Sequence, residues 1–358
     1  MNILHISRTM GQGGAEKVVY QLCKDIKEVT HFVASSGGKY VEELEIIGVK
    51  HITIPDIDEK NPLLILKTLL VLLKAIRENK IDVVHSHHRM ASFYSRILQV
   101  FHHELKHVYT AHNVFFGRKK IMRFALNNAN IVACGETVKK NLIDEYSIPE
   151  ERIKVIYNSI EKTQINEVHI EILDKKEKEG TYMIGSIGRI SEQKGFDVFV
   201  KAIAQSKKHI PNIVGVIIGE GEDKEIIKQL VEKLNIEDSV IFLGYQKDVL
   251  SIISRMKYIV LCSRWEGFPL TPIETFSVGK TIIVSDIPNN LEIVKPGING
   301  LAFKRDNVDD LVDNIVLLSN NESLVQDLER NAYMEYTNKY AYEVFISNYV
   351  SVYNRLLI

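Results

Sequence analysis

The chain reads as an α/β protein of two doubly wound domains, each built on a parallel sheet. Three observations predict this. Short apolar runs alternate with helix-length amphipathic segments over most of the chain, the mark of repeated strand–helix–strand units. The length, 358 residues, exceeds what one hydrophobic core ordinarily fills. The alternation also pauses once, in a polar tract from Glu161 to Gly180, and then restarts.

In the first half, short apolar runs place strands at 2–7, 31–34, 51–54, 83–85, 107–109, 131–133 and 154–156. Helical patterns between them fall at 15–26, 40–45, 63–78, 91–101, 119–127 and 136–146. The tract opening with Glu161-Lys162-Thr163-Gln164 and closing with Asp174-Lys175-Lys176-Glu177-Lys178-Glu179-Gly180 shows little periodicity. It reads as a linker with a solvated arm. Beyond it, strands are expected at 182–187, 214–218, 240–243, 258–261, 281–284 and 300–303. Helices follow at 196–206, 225–234, 248–256, 272–278, 308–318 and 324–336. Residues 1–162, rejoined by a last helix over 342–358, form the first expected domain, and 163–341 the second.

Composition narrows the function classes. Apolar content of 45% and charged content of 25% are those of a soluble globular protein. A net charge of −1 argues against a protein that binds nucleic acid over its whole surface. Cys23, Cys134 and Cys262 lie far apart without metal-ligand spacing and read as reduced, buried residues of a cytoplasmic protein. The chain starts on a strand rather than a secretory leader, and the apolar stretch 62–76 is interrupted by Lys67 and Lys74.

The most informative segment is Arg264-Trp265-Glu266-Gly267-Phe268-Pro269-Leu270-Thr271-Pro272-Ile273-Glu274. It follows a buried strand and opens a helix, the junction where open α/β sheets bind ligands. Glu266 and Glu274 flank it, and ionised carboxylates accept hydrogen bonds from hydroxyl-rich ligands such as a sugar or a ribose. Thr271 to Glu274 also has capping-box spacing, with Thr271 as N-cap, so a purely structural role for Glu274 stays open. Gly188-Arg189 and Lys194-Gly195 lie on another strand-to-helix loop, where two cations suit a diphosphate or surface ion pairs. Gly219-Glu220-Gly221 and Gly244-Tyr245 follow further strands of the same domain. In the first domain, Gly11-Gln12-Gly13-Gly14-Ala15-Glu16 opens a helix but lacks the dinucleotide-binding glycine spacing, because Glu16 stands at the third position. His85, His87 and His112 sit at strand ends, where a histidine can donate to a sugar hydroxyl or a phosphate. His85 and His87 offer no third metal ligand at usual spacing, so no metal site is expected. Asp56-Ile57-Asp58 reads as a loop. The cluster Arg118-Lys119-Lys120 with Arg123, beside Phe115 and Phe116, suits either an anionic membrane surface or a solvated helix face.

Taken in order, Gly13-Gly14-Ala15-Glu16, His85-Ser86-His87, Thr110-Ala111-His112, Val155-Ile156-Tyr157-Asn158, Gly188-Arg189 with Lys194-Gly195, Gly219-Glu220-Gly221, Phe242-Leu243-Gly244-Tyr245 and Glu266 with Glu274 resemble glycosyltransferase family 4. That family comprises retaining enzymes of the GT-B fold, two Rossmann-like domains facing a central cleft. The resemblance covers nearly the whole chain. It implies that Arg189 and Lys194 neutralise a departing diphosphate, which Gly13 and Gly14 approach from the other domain. It implies that Glu274 holds the ribose and Glu266 a hydroxyl of the transferred sugar. Gly267, Phe268, Pro269 and Leu270 would line the sugar and phosphate pocket, and Gly219, Gly221, Gly244 and Tyr245 the nucleobase. His112 would stand near the reacting sugar, with His85 and His87 on the acceptor side.

The implied activity is hexosyl transfer from a nucleoside-diphosphate sugar, UDP being the family-level expectation, to a hydroxyl of a glycan or lipid-linked acceptor in cell-surface polysaccharide biosynthesis. No cofactor and no metal are implied. The location would be cytoplasmic, with peripheral contact at the inner face of the membrane. A nucleotide-sugar epimerase of the same fold and a non-catalytic nucleotide-sugar-binding subunit of a synthase complex are the alternatives. The stretch Ile287-Pro288-Asn289-Asn290 departs from the glycines frequent there in the family.

Overall fold

A computed structural model describes residues 1–11, 13–161 and 168–356. The chain divides into two compact units, Met1–Asn158 with the segment from Glu343 onward, and Ser159–Tyr342. The expected boundary at 162/163 and the last two residues of the expected final helix lie outside the described residues.

The first unit carries seven strands: β1 (Asn2–Ile6), β2 (Thr30–Ser35), β3 (Lys50–Thr53), β4 (Val83–Ser86), β5 (Lys106–Ala111), β6 (Asn130–Ala133) and β7 (Ile153–Val155). They lie in the order β3-β2-β1-β4-β5-β6-β7, every pairing parallel. The second carries β8 (Tyr182–Ile187), β9 (Ile213–Ile218), β10 (Val240–Gly244), β11 (Ile259–Leu261), β12 (Ile282–Ser285) and β13 (Leu301–Phe303). Their order is β10-β9-β8-β11-β12-β13, again all parallel. Helices on both sheet faces account for the unbroken apolar runs, since such strands are buried on each side. In the second unit Ile184, Ile217, Val260 and Ile283 pack with Phe199, Ile203 and Ile315 from the covering helices. Each such buried side chain contributes about 1.5–3 kcal/mol.

Helix ends follow the expected chemistry in several places. Asn61 accepts from the Leu63 amide with Pro62 at the first helical position of Pro62–Glu78, and Asn307 and Asn321 cap two later helices in the same way. The last helix, Tyr342–Asn354, packs on the first unit through the buried rings of Phe345, Tyr349 and Tyr353.

Two readings need correction. The charged end of the polar tract is not a solvated arm: Glu171–Lys178 is a helix that buries Leu173 completely. Arg255 fastens it, donating to Asp174 at 2.6 Å and to Glu177 at 2.8 and 2.9 Å. Two adjacent apolar residues in eight, Ile172 and Leu173, give too little periodicity to reveal it. The helix after β11 runs Thr271–Ser277 with Leu270 as N-cap, and no side chain caps it. Thr271 and Pro272 occupy its first two positions, so the capping box does not form. A six-residue helix, Pro288–Ile293, was also not anticipated.

In both sheets the connections reverse beside the first strand, at β1/β4 and β8/β11. Loops leaving the carboxyl ends of such a strand pair diverge and open a crevice, so chemistry is expected there.

Candidate functional site

In the second unit that crevice is flanked by the loops after β8 and β11. At the end of β8, Gly188 adopts φ 149°. A Cβ there would stand 3.2 Å from Lys194 Cε, so the glycine leaves a path for the lysine stem. Lys194 Nζ donates to Glu266 Oε1 at 2.6 Å, with the two side chains 17% and 7% exposed. Ser263 Oγ donates to the same carboxylate oxygen at 2.6 Å. At Gly195, which has φ 63°, a Cβ would overlap the Cys262 carbonyl oxygen, so the turn bearing Lys194 sits directly against the end of β11. The structure therefore brings Lys194 and Glu266 together from positions 72 residues apart.

Arg264 locks this arrangement, although no local pattern singles out its side chain. Its guanidinium donates to Asp197 at 2.9 and 3.1 Å, to Asp306 at 2.8 Å and to the Glu192 carbonyl at 2.7 Å. Its amide donates to the Gln193 carbonyl at 2.7 Å, and Gln193 Nε2 returns a bond to the Trp265 carbonyl at 2.9 Å. The loop carrying Glu266 is thus tied to the turn carrying Lys194. Asn289, in the unanticipated helix, donates to the Gly267 carbonyl and braces the same loop. That is the structural use of the asparagine that departs from the family's glycines.

The other expected residues are spread around this core. Arg189 is 73% exposed and bonds Glu222 at 2.8 Å, away from the Lys194–Glu266 pair. Gly267, Phe268 and Leu270 are half-buried and Pro269 is buried. Glu274 lies in the first turn of Thr271–Ser277, half-buried. Tyr245 is 74% exposed and free to stack on a planar group. Gly219 and Gly221 have a clear packing role, since Cβ atoms would overlap the carbonyl oxygens of Gly188 and Ile190. Gly219 N also donates to the Gly244 carbonyl at 2.9 Å, so the loops after β8, β9 and β10 interlock. With φ 141° at Gly219, Gly219→Ala is expected to destabilise the protein by about 1–3 kcal/mol. A lowered urea midpoint would show it, and an unchanged one would contradict the interlock.

In the first unit, Gly13 is the N-cap of Gly14–Asp25, and both glycines are exposed. A Cβ at Gly13 would overlap the Glu16 carboxylate, which folds back and accepts from Thr9 Oγ1 at 2.9 Å. Asp56 and Asp58 are engaged by Arg8 at 2.9 and 3.0 Å, which fits their reading as a loop. In the basic cluster, Phe115 lies under the Arg89 guanidinium at 4.0 Å, whereas Phe116 is 75% exposed beside Lys119 and Lys120.

His85 and His87 are interior residues, not exposed acceptor contacts. His85 Nδ1 meets Tyr353 Oη at 2.7 Å and its Nε2 meets Thr110 Oγ1 at 2.8 Å. A third imidazole does join them: candidate ligand atoms of His5, His85 and His87 lie within 4.8 Å of one another. Spacing along the chain concealed this, because His5 comes from β1. All six ring nitrogens of that group already have hydrogen-bond partners, in His31, His87, Tyr353, Thr110, His5 and His112.

Burial holds these rings neutral. It pushes His31 and His112 down to about 4 and His107 to about 3, with His5, His85 and His87 also well below the usual value. A histidine whose folded pKa is depressed favours the unfolded chain once that chain protonates. The penalty is absent above an unfolded pKa of about 6.5 and grows as pH falls toward the folded value. The expected result is a midpoint that falls between pH 6.5 and 4.5, at about 1.4 kcal/mol per pH unit for each such histidine. Thermal melts across that range check it, and a flat profile would contradict neutral burial.

Residues 168–335 match the family described as "Glycosyl transferases group 1", and residues 12–164 match "Glycosyltransferase Family 4". An uncharacterized glycosyltransferase of Methanocaldococcus jannaschii is 28% identical over 96% of this chain and 95% of its own length. The UDP-Gal:alpha-D-GlcNAc-diphosphoundecaprenol alpha-1,3-galactosyltransferase of Escherichia coli is 26% identical over 72% of each chain. The crystal structure of Anabaena HepE in complex with UDP is similar in fold, with a TM-score of 0.86 and 18% identity over 99% of this chain and 100% of that one. Among the described residues no helix is long and apolar enough to cross a membrane. The chain belongs to the family 4-like glycosyltransferases of the GT-B type.

Proposed function

We propose that the protein moves a hexose from a nucleoside-diphosphate sugar to a hydroxyl of a glycan or lipid-linked acceptor, with retention, in building a cell-surface polysaccharide. The observation that carries the reading is the buried Lys194–Glu266 pair at the β8/β11 crevice, held in place by Arg264. It joins a cation suited to a leaving diphosphate with a carboxylate suited to a sugar hydroxyl. The named activity of the E. coli relative and the UDP bound by HepE support a uridine nucleotide and a lipid-linked acceptor.

In this reading Lys194 exchanges Glu266 for the diphosphate, and Arg189 leaves Glu222 to do the same. Glu266 then accepts from the sugar and Glu274 from the ribose. Gly13, Gly14 and the backbone of Gly267 to Leu270 approach phosphate and sugar, His112 the sugar, and Gly219, Gly221, Gly244 and Tyr245 the base. The bond from the anomeric carbon to the phosphate oxygen breaks as the acceptor oxygen attacks the same face. The acceptor's proton passes to the departing phosphate. Positioning and charge stabilisation supply the rate, and no metal or cofactor is assigned a part. The exposed Phe116 among Lys119, Lys120 and Arg123 is the proposed peripheral contact with an anionic membrane surface at the cytoplasmic face.

A thermal-shift panel of nucleoside diphosphates and their sugars tests the reading. One base should stand out, with about 2.7 kcal/mol of stabilisation at a hundredfold excess over its Kd. No shift with any member would contradict it. Binding without transfer to any acceptor would leave the non-catalytic subunit, and a donor altered without acceptor would leave the epimerase.

A further inference from the structure

Four histidines of the first unit form one continuous hydrogen-bonded chain, His31 on β2, His5 on β1, and His87 and His112 just beyond the ends of β4 and β5. His31 Nε2 meets the Ile26 carbonyl at 2.9 Å. His31 Nδ1 meets His5 Nε2 at 2.9 Å, and His5 Nδ1 meets His87 Nε2 at 3.0 Å. His87 Nδ1 then meets His112 Nε2 at 3.1 Å. The far end, His112 Nδ1, is buried and has no partner among the described residues.

The chemistry of the links assigns every proton. A carbonyl only accepts, so His31 Nε2 carries the hydrogen. A neutral imidazole has one N–H, so His31 Nδ1 must accept and His5 Nε2 must donate. The same step repeats through His87 to His112. All four rings are thereby held as Nε2–H tautomers, and the chain ends in a lone pair on His112 Nδ1. A carbonyl at one end therefore decides the hydrogen-bonding character of a ring three histidines away. This revises the sequence-based expectation that His112 donates to its ligand.

We propose that His31, His5 and His87 are positioning residues that fix His112 Nδ1 as an acceptor for a hydroxyl of the sugar ligand. The inference rests on the reading that His112 faces the sugar, and it deepens that reading. An acceptor nitrogen welcomes an O–H group and repels a phosphate oxygen, which has no proton to offer. His112 would therefore distinguish the sugar from the diphosphate, and a sugar hydroxyl from the same position lacking one.

The test begins with the free wild-type protein, labelled with 15N-histidine, at pH 7.5. Long-range 1H–15N spectra should show His31, His5, His87 and His112 each as a single Nε2–H tautomer. A proton on His112 Nδ1, or a tautomer mixture there, would overturn the proposal, and this result does not depend on activity. His31→Phe removes the anchor and should turn His112 into a mixture. It should weaken the nucleotide-sugar by about 3- to 10-fold, the worth of one net hydrogen bond, while leaving the nucleoside diphosphate unchanged. His5→Gln, which keeps one donor and one acceptor, should restore most of the loss relative to His5→Leu. An unaltered His112 tautomer in His31→Phe, or equal weakening of both ligands, would overturn the proposal. If the wild-type protein binds no nucleotide-sugar, the functional reading fails, and the tautomer spectra still decide the chain.

Discussion

Lys194→Ala is expected to lower sugar transfer by about 10²- to 10³-fold, the usual cost of deleting one group that stabilises developing charge. It should also destabilise the fold, because it strands the Glu266 carboxylate at 7% exposure with Ser263 and Gln193 as its remaining side-chain donors among the described residues. Breaking one side of a buried pair costs about 3–5 kcal/mol. Glu266→Gln separates the two effects, since the amide can still take the Ser263 hydrogen bond and leaves no buried negative charge. Its melting point should stay much nearer wild type than that of Lys194→Ala while transfer still falls. Steady-state kinetics well below each variant's melting point provide the check. Near-normal turnover by folded Lys194→Ala would contradict the proposed role.

Arg264→Ala is the second large effect expected. Four hydrogen bonds join Arg264 to Asp197, Asp306 and the Glu192 carbonyl, and the side chain is only 22% exposed. Their loss should cost about 3 kcal/mol, through the bonds themselves and the partly buried Asp197 left behind. Transfer should fall as well, although Arg264 is assigned no contact with substrate, because the turn bearing Lys194 and the loop bearing Glu266 lose their tie. A displacement of about 1 Å at such a site costs on the order of 10²-fold. Arg264→Lys should rescue little, since one ammonium cannot reproduce the fork that meets Asp197 and Asp306 together. Urea unfolding and kinetics on both variants decide it, and full rescue by lysine would leave only a charge effect.

The sheets were legible from sequence because parallel strands buried on both faces are short, mostly apolar runs, as at Ile213–Ile218. The loops bearing the expected site residues were legible for a related reason: they follow those runs. What stayed hidden depends on contacts distant in sequence. Lys194 and Glu266 could be named as a cation and a carboxylate, but their pairing across 72 residues could not. Arg264 looked like any surface arginine, with partners 67 and 42 residues away. The histidine chain links residues 26, 82 and 25 positions apart, so no local spacing betrays it. Glu171–Lys178 was missed for the opposite reason. Its local pattern is polar, and Arg255 and the burial of Leu173 help to hold it in place.

The most direct test is a crystal structure with the nucleoside diphosphate that gives the largest thermal shift. The expected result is a diphosphate in the crevice between the loops after β8 and β11, with Lys194 Nζ within about 3.2 Å of a phosphate oxygen. Glu266 would have given up the lysine and turned free to meet a sugar. A nucleotide bound elsewhere, or one bound while Lys194 remains on Glu266, would contradict the assignment.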